Sequence, residues 1–213
     1  MFYRTLTGLS MSILIGVLAA GVSAVMALIL GICAATLGKK VDSAISFAID
    51  TVMGIPHILL LILISYAMGK GVKGVIAGVA LTHWTSLARL IRGEVMQLRE
   101  SEYIQIAGKL GLGKWEIAKK HIVPHVLPQF IVGLVLLFPH AILHESSITF
   151  LGFGLSTEQP AIGVILSESM RYLIMGKWWL AVFPGMMLVL TVVLFEKGGT
   201  ALRQLLDPGS VHK

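Results

Sequence analysis

Charged residues and cysteines are both scarce in this sequence. Asp, Glu, Lys and Arg together make up 13% of the 213 residues, whereas 56% of the residues are hydrophobic and the mean hydropathy is +0.87. Because about a quarter of an ordinary soluble domain is charged, this composition excludes such a domain and predicts a polytopic membrane protein. The single cysteine, Cys33, lies inside an apolar run and is interpreted as a small buried hydrophobe, so no disulfide framework is expected.

Signatures of several enzyme classes are missing as well. The sequence has no G-x-x-x-x-G-K-[ST] phosphate loop, and Gly152 and Gly154 are not followed by the lysine and hydroxyl that would contact phosphate and magnesium. His144-Glu145 is followed by Ser-Ser-Ile and does not form H-E-x-x-H, and no G-x-S-x-G nucleophile motif occurs. We therefore expect that the chain is not an enzyme and that any nucleotide chemistry resides on a partner.

Five hydrophobic stretches reach or approach the roughly 20 residues that cross a bilayer. The second is interrupted by Gly54-Ile55-Pro56-His57, which predicts a kinked or broken helix, and the third contains Gly74 and Gly78, spaced for close helix contact. Residues 151–178 are too polar to cross and predict short helices, around 162–173, that dip back into the external face. The prediction is one all-α integral membrane domain over 1–213, with spans at 11–37, 45–68, 72–90, 126–150 and 179–195.

The basic residues predict an orientation. The formal net charge is +6, but the basic residues do not form the aromatic-interleaved patch of a nucleic-acid surface, so no nucleic-acid partner is expected. Cytoplasmic loops of membrane proteins carry an excess of Lys and Arg. If the polar stretch after residue 100 is cytoplasmic and five spans alternate, the N-terminus is outside and the C-terminus is cytoplasmic. Twelve basic residues then fall inside, namely Lys39, Lys40, Arg89, Arg92, Arg99, Lys109, Lys114, Lys119, Lys120, Lys197, Arg203 and Lys213, and five outside, namely Arg4, Lys70, Lys73, Arg171 and Lys177.

The longest polar interval, residues 102–128, predicts two short amphipathic helices that lie beside the membrane. Apolar residues recur at helical spacing on both sides of Gly111 and Gly113, which break the pattern and predict a corner. Pro124 and Pro128 predict the start of the following helix. The first apolar stripe consists of Tyr103, Ile106 and Leu110, and the second of Trp115, Ala118 and Ile122.

This interval resembles a known family. The run EYIQIAGKLG, followed after nine residues by HIVP, is similar to the cytoplasmic EAA loop of binding-protein-dependent ABC transporter permeases, although Gln105 and Ile106 replace the acid and the first alanine of that E-A-A. The segments WTSLARLIRGEVMQLRESEY and ITFLGFGLS resemble the peptide/nickel branch, and the likeness covers about residues 5–208. It implies a type I ABC importer permease fold whose coupling loop, at 100–125, fits a cleft of an ATPase. The coupling residues so implied are Glu102, Ala107, Gly111, Trp115 and Pro124.

The resemblance also implies partners. A second homologous permease would complete the translocation path, two ATPase subunits would hold ATP and Mg²⁺, and an extracellular or periplasmic binding protein would deliver cargo to this multi-pass, lipid-embedded subunit of a prokaryotic cell membrane. No tightly bound cofactor is expected in the chain itself. Members of the family carry one more transmembrane helix and an external segment before the point at which this sequence begins, so we expect either a misplaced start or a short five-helix permease.

Histidines within the spans are candidates for the cargo path. His140 and His144 share one face of a helix, Glu145 follows them, and imidazole with carboxylate suits nickel, zinc, copper or iron. Polar groups at membrane depth usually face a bundle interior or a water-filled path, but hydrogen bonds between helices explain the same spacing. The stretch PHAILHESSITFLGFGL resembles the H-x-x-x-H arrangement of nickel permease subunits, where peptide permeases carry apolar or small residues, whereas Glu145 resembles an acid common to both. His140 and His144 are therefore predicted as a transient metal site.

Two further histidines extend this candidate path. His83, in T-H-W-T-S, also resembles the nickel-type subunits, although a hydrogen bond across helices explains it equally well, and His57 follows Pro56 on the same path. The predicted function is ATP-driven import of nickel, free or chelated; the alternatives are import of di- or oligopeptides and, from another class, a self-contained secondary carrier or channel. The last alternative needs an ionisable relay, for which Asp50 alone is a poor basis. The remaining histidines, His121, His125 and His212, are interpreted as interfacial or as having no role.

Overall fold

The protein is built of helices in the computed structural model, which describes residues 1–206 and, among these, every side chain except that of Lys114. Most breaks fall where glycine or proline interrupts the apolar runs, as expected from their backbone preferences. The predictions for His212 and Lys213 lie outside the described residues. In chain order the helices are α1 (Phe2–Thr36), α2 (Lys39–Gly54), α3 (His57–Ala67), α4 (Gly71–Glu100), α5 (Glu102–Lys109), α6 (Lys114–Ile117), α7 (Val123–Phe150), α8 (Ile162–Leu173) and α9 (Trp179–Leu206), with a π-helical turn (Ala118–Ile122) between α6 and α7.

Within the described residues, four helical segments are long and apolar enough to cross a membrane. They are α1, α4, α9 and the continuous helix Trp115–Phe150, which contains α7. The helices α2 and α3 pass the same test as a pair that is bent by 101°, and counting this pair as one broken span gives five. The prediction of about five spans with a broken second one is therefore confirmed, and α8 accounts for the predicted short helix between the last two spans.

Small residues let α1 pack closely against α4 and α7. The buried face of α1 carries mainly alanine, glycine and serine, and a Cβ added to Gly31 would lie 2.8 Å from the carbonyl oxygen of Ala88. In lipid, helices associate through such close van der Waals contact and through hydrogen bonds, because burial from lipid adds little hydrophobic gain. The hydroxyl of Ser23 supplies one hydrogen bond by donating to the carbonyl oxygen of Ala80 (3.2 Å).

The predicted glycine pair allows α4 to pack against α3. A Cβ on Gly74 would lie 2.5 Å from the carbonyl oxygen of Ser65, and a Cβ on Gly78 would lie 3.2 Å from that of Leu61. The two helices therefore run antiparallel, because Gly74 faces Ser65 and Gly78, one turn later in α4, faces Leu61, one turn earlier in α3. This register brings His57, the first residue of α3, beside the turn of α4 that follows Gly78.

Contacts at one end of the bundle join the segments predicted to be external. Arg4 near the start of α1 forms a 2.6 Å ion pair with Glu168 of α8. The amide of Gly71, at the start of α4, donates to the carbonyl oxygen of Gly154 (3.1 Å), in the turn that follows α7. The start of α1, the start of α4 and the end of α7 therefore lie at one end of the bundle, which agrees with the alternation assumed for the basic-residue count.

Ion pairs at the opposite end join α2 to α4. The guanidinium of Arg92 donates two hydrogen bonds to the carboxylate of Asp42, one of them 2.7 Å long. Arg89 forms a 2.7 Å ion pair with Asp50, whose side chain is 69% exposed. Asp50 is thus a partner of an arginine at the surface of the chain and does not sit in a buried relay. These pairs hold α2 against the half of α4 that leads to the predicted coupling loop.

The predicted corner at Gly111 is present, but the second amphipathic helix is not separate from the following span. The helix α5 ends at Lys109, and Gly111 has φ +91°. From Trp115 the helix continues to Phe150 through the π-helical turn. Pro124 lies in the first turn of α7, as predicted for the entry into the following helix, whereas Pro128 lies inside α7. The π-helical turn joins this first turn to α6 without a break.

Candidate functional site

A cavity of about 590 Å³ lies at the break between α2 and α3. Its walls come from this break, from the middle of α4 and from α7, and they combine apolar side chains with a limited set of polar ones. Concave, mainly apolar sites with a few converging polar groups are typical ligand sites in proteins. The polar side chains of the lining are those of Thr82, Thr85, Ser86, His57, His83, His140 and His144.

Three of these histidines face one another and are called the three-histidine cluster below. The ring centroids of His57 and His83 are 4.6 Å apart, those of His57 and His144 also 4.6 Å, and those of His83 and His144 4.9 Å. One ring nitrogen of each lies within 4.8 Å of the other two. Because the three residues belong to α3, α4 and α7, the cluster exists only when these helices are assembled.

The ring of His83 is held by its own helix. Its Nδ1 lies 3.0 Å from the carbonyl oxygen of Val79 and 3.0 Å from the hydroxyl of Thr82. Because a carbonyl oxygen only accepts, a hydrogen bond to Val79 requires the tautomer with its proton on Nδ1 and its lone pair on Nε2. Among the described residues, Nε2 of His83 and Nε2 of His57 are buried without a hydrogen-bond partner. Buried polar atoms of this kind need an explanation, and a ligand is one.

His140, predicted to pair with His144 as a metal site, lies in the same cavity but outside the three-histidine cluster. Its side chain lines the cavity one turn before His144, whereas the close neighbours of His144 are His57 and His83. Sequence spacing favoured the pair because four residues make one helical turn. The neighbours of His144 on other helices, His57 and His83, could not be found from spacing within one helix. The one sequence signal for them is the helix break at Pro56, which precedes His57.

Glu145, predicted to line the path, is fully buried and is not part of the cavity lining. Its carboxylate accepts hydrogen bonds from the hydroxyls of Ser146 (3.2 Å) and Thr149 (3.0 Å). The hydroxyl oxygen of Thr149 in turn accepts from the amide of Leu155 (3.3 Å). Glu145 therefore ties the end of α7 to the glycine-containing turn that follows it, and its role in transport stays a prediction.

The corner between α5 and α6 carries an exposed apolar surface. Tyr103, Ile106, Leu110 and Trp115 are 48, 54, 78 and 82% exposed, and we call these four residues the corner surface. Contiguous apolar residues that face outward typically mark an interaction site with a protein or a membrane. The first predicted stripe is thus on the outside, whereas Ile122 of the second predicted stripe is buried.

The other predicted coupling residues divide between the outside and the inside of the chain. Glu102 and Pro124 are exposed, but Ala107 is buried and its carbonyl oxygen accepts a hydrogen bond from the amide of Leu112 (3.2 Å). Ala107 therefore supports the corner from within. The left-handed backbone of Gly111 makes the sharp turn between α5 and α6.

The chain thus combines helices able to span a membrane and a bent helix pair with a cavity at the bend and an exposed apolar corner between α5 and α6. A profile of the family described as "Binding-protein-dependent transport system inner membrane component" matches residues 27–210. The chain therefore belongs to this family of multi-pass inner-membrane proteins. As a permease it is the membrane component of such a system and not its catalytic one, as the sequence predicted.

Two curated relatives are named for peptide transport. The dipeptide transport system permease protein DppC of Bacillus subtilis (strain 168) is 32% identical over 207 residues, which are 97% of this chain and 65% of that protein. The oligopeptide transport system permease protein OppC of the same strain is 31% identical over 207 residues, 97% of this chain and 68% of that protein. The chain thus spans about two thirds of the length of these relatives. Their names favour the peptide alternative over nickel, the cargo that the sequence had suggested first.

Solved structures share the fold at low sequence identity. The inward-facing MetNI methionine ABC transporter contains a chain with a TM-score of 0.79 and 15% identity, and the match covers 97% of both chains. An amino acid ABC transporter crystallised with histidines contains one with a TM-score of 0.71 and 18% identity, covering 95% of this chain and 94% of the other. The predicted ABC importer permease fold is therefore confirmed.

Proposed function

We propose that the chain forms half of the translocation path of an ATP-driven importer of di- or oligopeptides. The observation that carries the cargo class is that relatives with 31–32% identity over 97% of this chain are named as dipeptide and oligopeptide permeases. The cavity between the α2–α3 break, α4 and α7 supports the position of the path. In this proposal a second, homologous permease supplies the other half, and an external binding protein delivers the cargo.

In this mechanism, the ATPases transmit their movement to the chain through the corner surface. Two ATPase subunits, which hold ATP and Mg²⁺, bind the corner surface because its exposed apolar side chains gain about 25 cal/mol for each square ångström removed from water. The corner lies between two helices that wall the cavity, since α4 ends at Glu100 and the helix Trp115–Phe150 begins just after Gly113. Closure of the ATPases therefore displaces both helices and switches the path from inward-facing to outward-facing.

Uptake by the complete complex in vesicles tests this function. We expect accumulation of a labelled dipeptide that requires ATP, the ATPases and the binding protein. Leu110→Asp should abolish uptake and ligand-stimulated ATP hydrolysis, because it puts a charge on a corner-surface residue that is 78% exposed. Leu205→Asp is the matched control, since Leu205 is also 78% exposed but lies at the end of α9. Equal loss in both variants, or uptake by the chain without ATPases, would contradict the proposal.

Nickel, free or chelated, is a second candidate cargo because of the three-histidine cluster. Imidazole nitrogen suits nickel and other borderline divalent metals, and three imidazoles converge in this cavity. The same vesicles separate the two cargoes when labelled nickel and a labelled dipeptide are offered together. ATP-dependent nickel uptake that a His140→Ala, His144→Ala double variant loses would make nickel the cargo. Dipeptide uptake without nickel uptake would leave the peptide proposal alone.

A further inference from the structure

We propose that His57, His83 and His144 bind one divalent transition-metal ion through three imidazole nitrogens, with the remaining coordination positions facing the cavity. This inference rests on the translocation path proposed above and goes beyond its peptide cargo, because it assigns a metal ion to the cavity. It also replaces the helical pair of His140 and His144 as the expected ligand set. Nickel, zinc and cobalt are the metals that such a nitrogen set suits.

The geometry of the donor atoms is close to that of a three-nitrogen site. Metal–nitrogen bonds of about 2.0–2.1 Å require nitrogen atoms about 3.3 Å apart in a tetrahedral site. One ring nitrogen of each histidine lies within 4.8 Å of the others, so the donors need to approach one another by at most about 1.5 Å. Rotation of imidazole side chains about their χ angles moves ring nitrogens by such distances without moving the backbone.

The environment of His83 is that of a metal ligand. Ligating histidines usually donate their other ring N–H to a carbonyl or carboxylate oxygen, which fixes the tautomer and the orientation of the ring. In His83 the proton on Nδ1 faces the carbonyl oxygen of Val79 (3.0 Å), and the free lone pair is on the buried Nε2. The helix therefore presents this nitrogen in the form that a metal ion needs.

The bend between α2 and α3 places His57 in the three-histidine cluster. The chain turns by 101° at this break, and His57 is the first residue after Pro56. The antiparallel register of α3 and α4, set by Gly74 and Gly78, then places His57 beside His83. The Nε2 atom of His57 is the second buried ring nitrogen without a partner among the described residues. The bend thus brings a ligand to the site from a third helix.

The three ligands would leave the charge of a bound ion uncompensated. All three ligands are neutral when they bind a metal, and the nearest acid in sequence, Glu145, directs its carboxylate to Ser146 and Thr149. A bound divalent ion keeps its full charge of about +2 because neutral imidazoles do not compensate it. Such an ion gains from anionic groups that enter from the cavity and is held less tightly than in a site with thiolates or carboxylates.

Binding of Ni²⁺ alone to the complete complex tests the proposal. The complex is purified through a tag without histidine and placed in lipid nanodiscs, and calorimetry and X-ray absorption report stoichiometry and ligands. We expect one Ni²⁺ per copy of this chain with three imidazole ligands. Because loss of even an outer-shell partner costs about 10–100-fold in affinity, His57→Gln, His83→Gln and His144→Gln should each lower affinity by at least about 100-fold. His140→Gln, in the same cavity, is the matched control and should change affinity by less than about threefold.

Two results would overturn the proposal. If His140→Gln and His144→Gln lose binding while His57→Gln does not, the helical pair is the site. If no saturable binding occurs, the three rings pack against one another only as neutral aromatic groups. Melting temperature identifies variants that fail to assemble. Dipeptide uptake measured on the same preparation separates the two proposals, because intact uptake without metal binding refutes the metal site alone, whereas intact metal binding without any ATP-driven uptake refutes the proposed function.

Discussion

Replacing Gly111 by alanine is the sharpest test of the corner between α5 and α6. Gly111 has φ +91°, in the left-handed region, which costs an L-residue about 1–2 kcal/mol. No described atom lies within 4 Å of a Cβ added at this position. The substitution therefore changes the backbone preference of the corner without crowding it, which a bulkier residue would not achieve once a partner is bound.

The expected effect follows from the conformational equilibrium of the corner. A cost of 1–2 kcal/mol lowers the population of the observed corner by about 5–30-fold relative to competing conformations. The amide of Leu112 would lose its acceptor in α5, which is the carbonyl oxygen of Ala107. If the ATPases engage only the observed corner, ligand-stimulated ATP hydrolysis falls by up to this factor, while membrane insertion and basal hydrolysis are unchanged.

Gly113 provides the matched control for this experiment. A Cβ on Gly113 also meets no described atom within 4 Å, but its backbone is not in the left-handed region. Gly113→Ala should therefore keep stimulated ATP hydrolysis within about twofold, and Gly111→Asn should be intermediate because asparagine tolerates a left-handed backbone. The assay is the ATPase rate of the reconstituted complex with and without loaded binding protein. Equal rates for Gly111→Ala and Gly113→Ala would refute the reasoning.

Three further predictions concern stability. Gly74→Ala puts a Cβ 2.5 Å from a carbonyl oxygen of α3 and should lower the free energy of unfolding by about 1–3 kcal/mol, measured by thermal denaturation. Gly93→Ala is the control, because a Cβ on Gly93 of the same helix meets open space. Equal melting temperatures of the two variants would contradict this packing. Glu145→Ala should lower the free energy of unfolding by about 1–3 kcal/mol, because the hydroxyls of Ser146 and Thr149 lose their acceptor. Glu145→Gln should lower it by less. Loss of uptake at an unchanged melting temperature would instead make Glu145 a residue of the transport path. A double-mutant cycle on Asp42 and Arg92 should give a coupling energy of about 0.5–1 kcal/mol, since the pair is only partly exposed and doubly hydrogen-bonded; a value near zero would exclude a structural role.

Sequence patterns predicted the features that depend on local chemistry. The broken second span followed from Gly54-Ile55-Pro56, since these residues disfavour continued helix, and the structure has a 101° bend there. The turn at Gly111 followed from a glycine that interrupts two helical patterns, and the backbone is left-handed at that residue. In both cases the backbone preference of the residue itself sets the feature, because proline fixes φ and glycine tolerates positive φ, so its position needs no knowledge of the tertiary structure.

Features that depend on tertiary contacts could not be predicted in the same way. His144 was paired with His140 because periodicity relates residues of one helix, whereas its neighbours in the structure come from α3 and α4. Pro124 was predicted to mark entry into a helix and lies in the first turn of α7, but the sequence did not indicate the π-helical turn that joins α7 to α6. The helix that contains the first predicted span, 11–37, begins already at Phe2, and Arg4 in this N-terminal extension is paired with Glu168 of α8.

Two of the helices that carry the three-histidine cluster also lead to the corner surface, which relates metal binding to the proposed ATP-driven movement of these helices. His83 lies 17 residues before the end of α4, about 26 Å along the helix, and His144 lies 29 residues after Trp115, about 44 Å along a helix that contains Pro128 and Pro139. The third ligand, His57, belongs to α3, which is not attached to the corner. The 1.5 Å approach that the donors need is about the rise of one residue along a helix. In the proposed mechanism, a movement of α4 and of the helix Trp115–Phe150 relative to α3 would therefore change the distances between the donor nitrogens of the cluster.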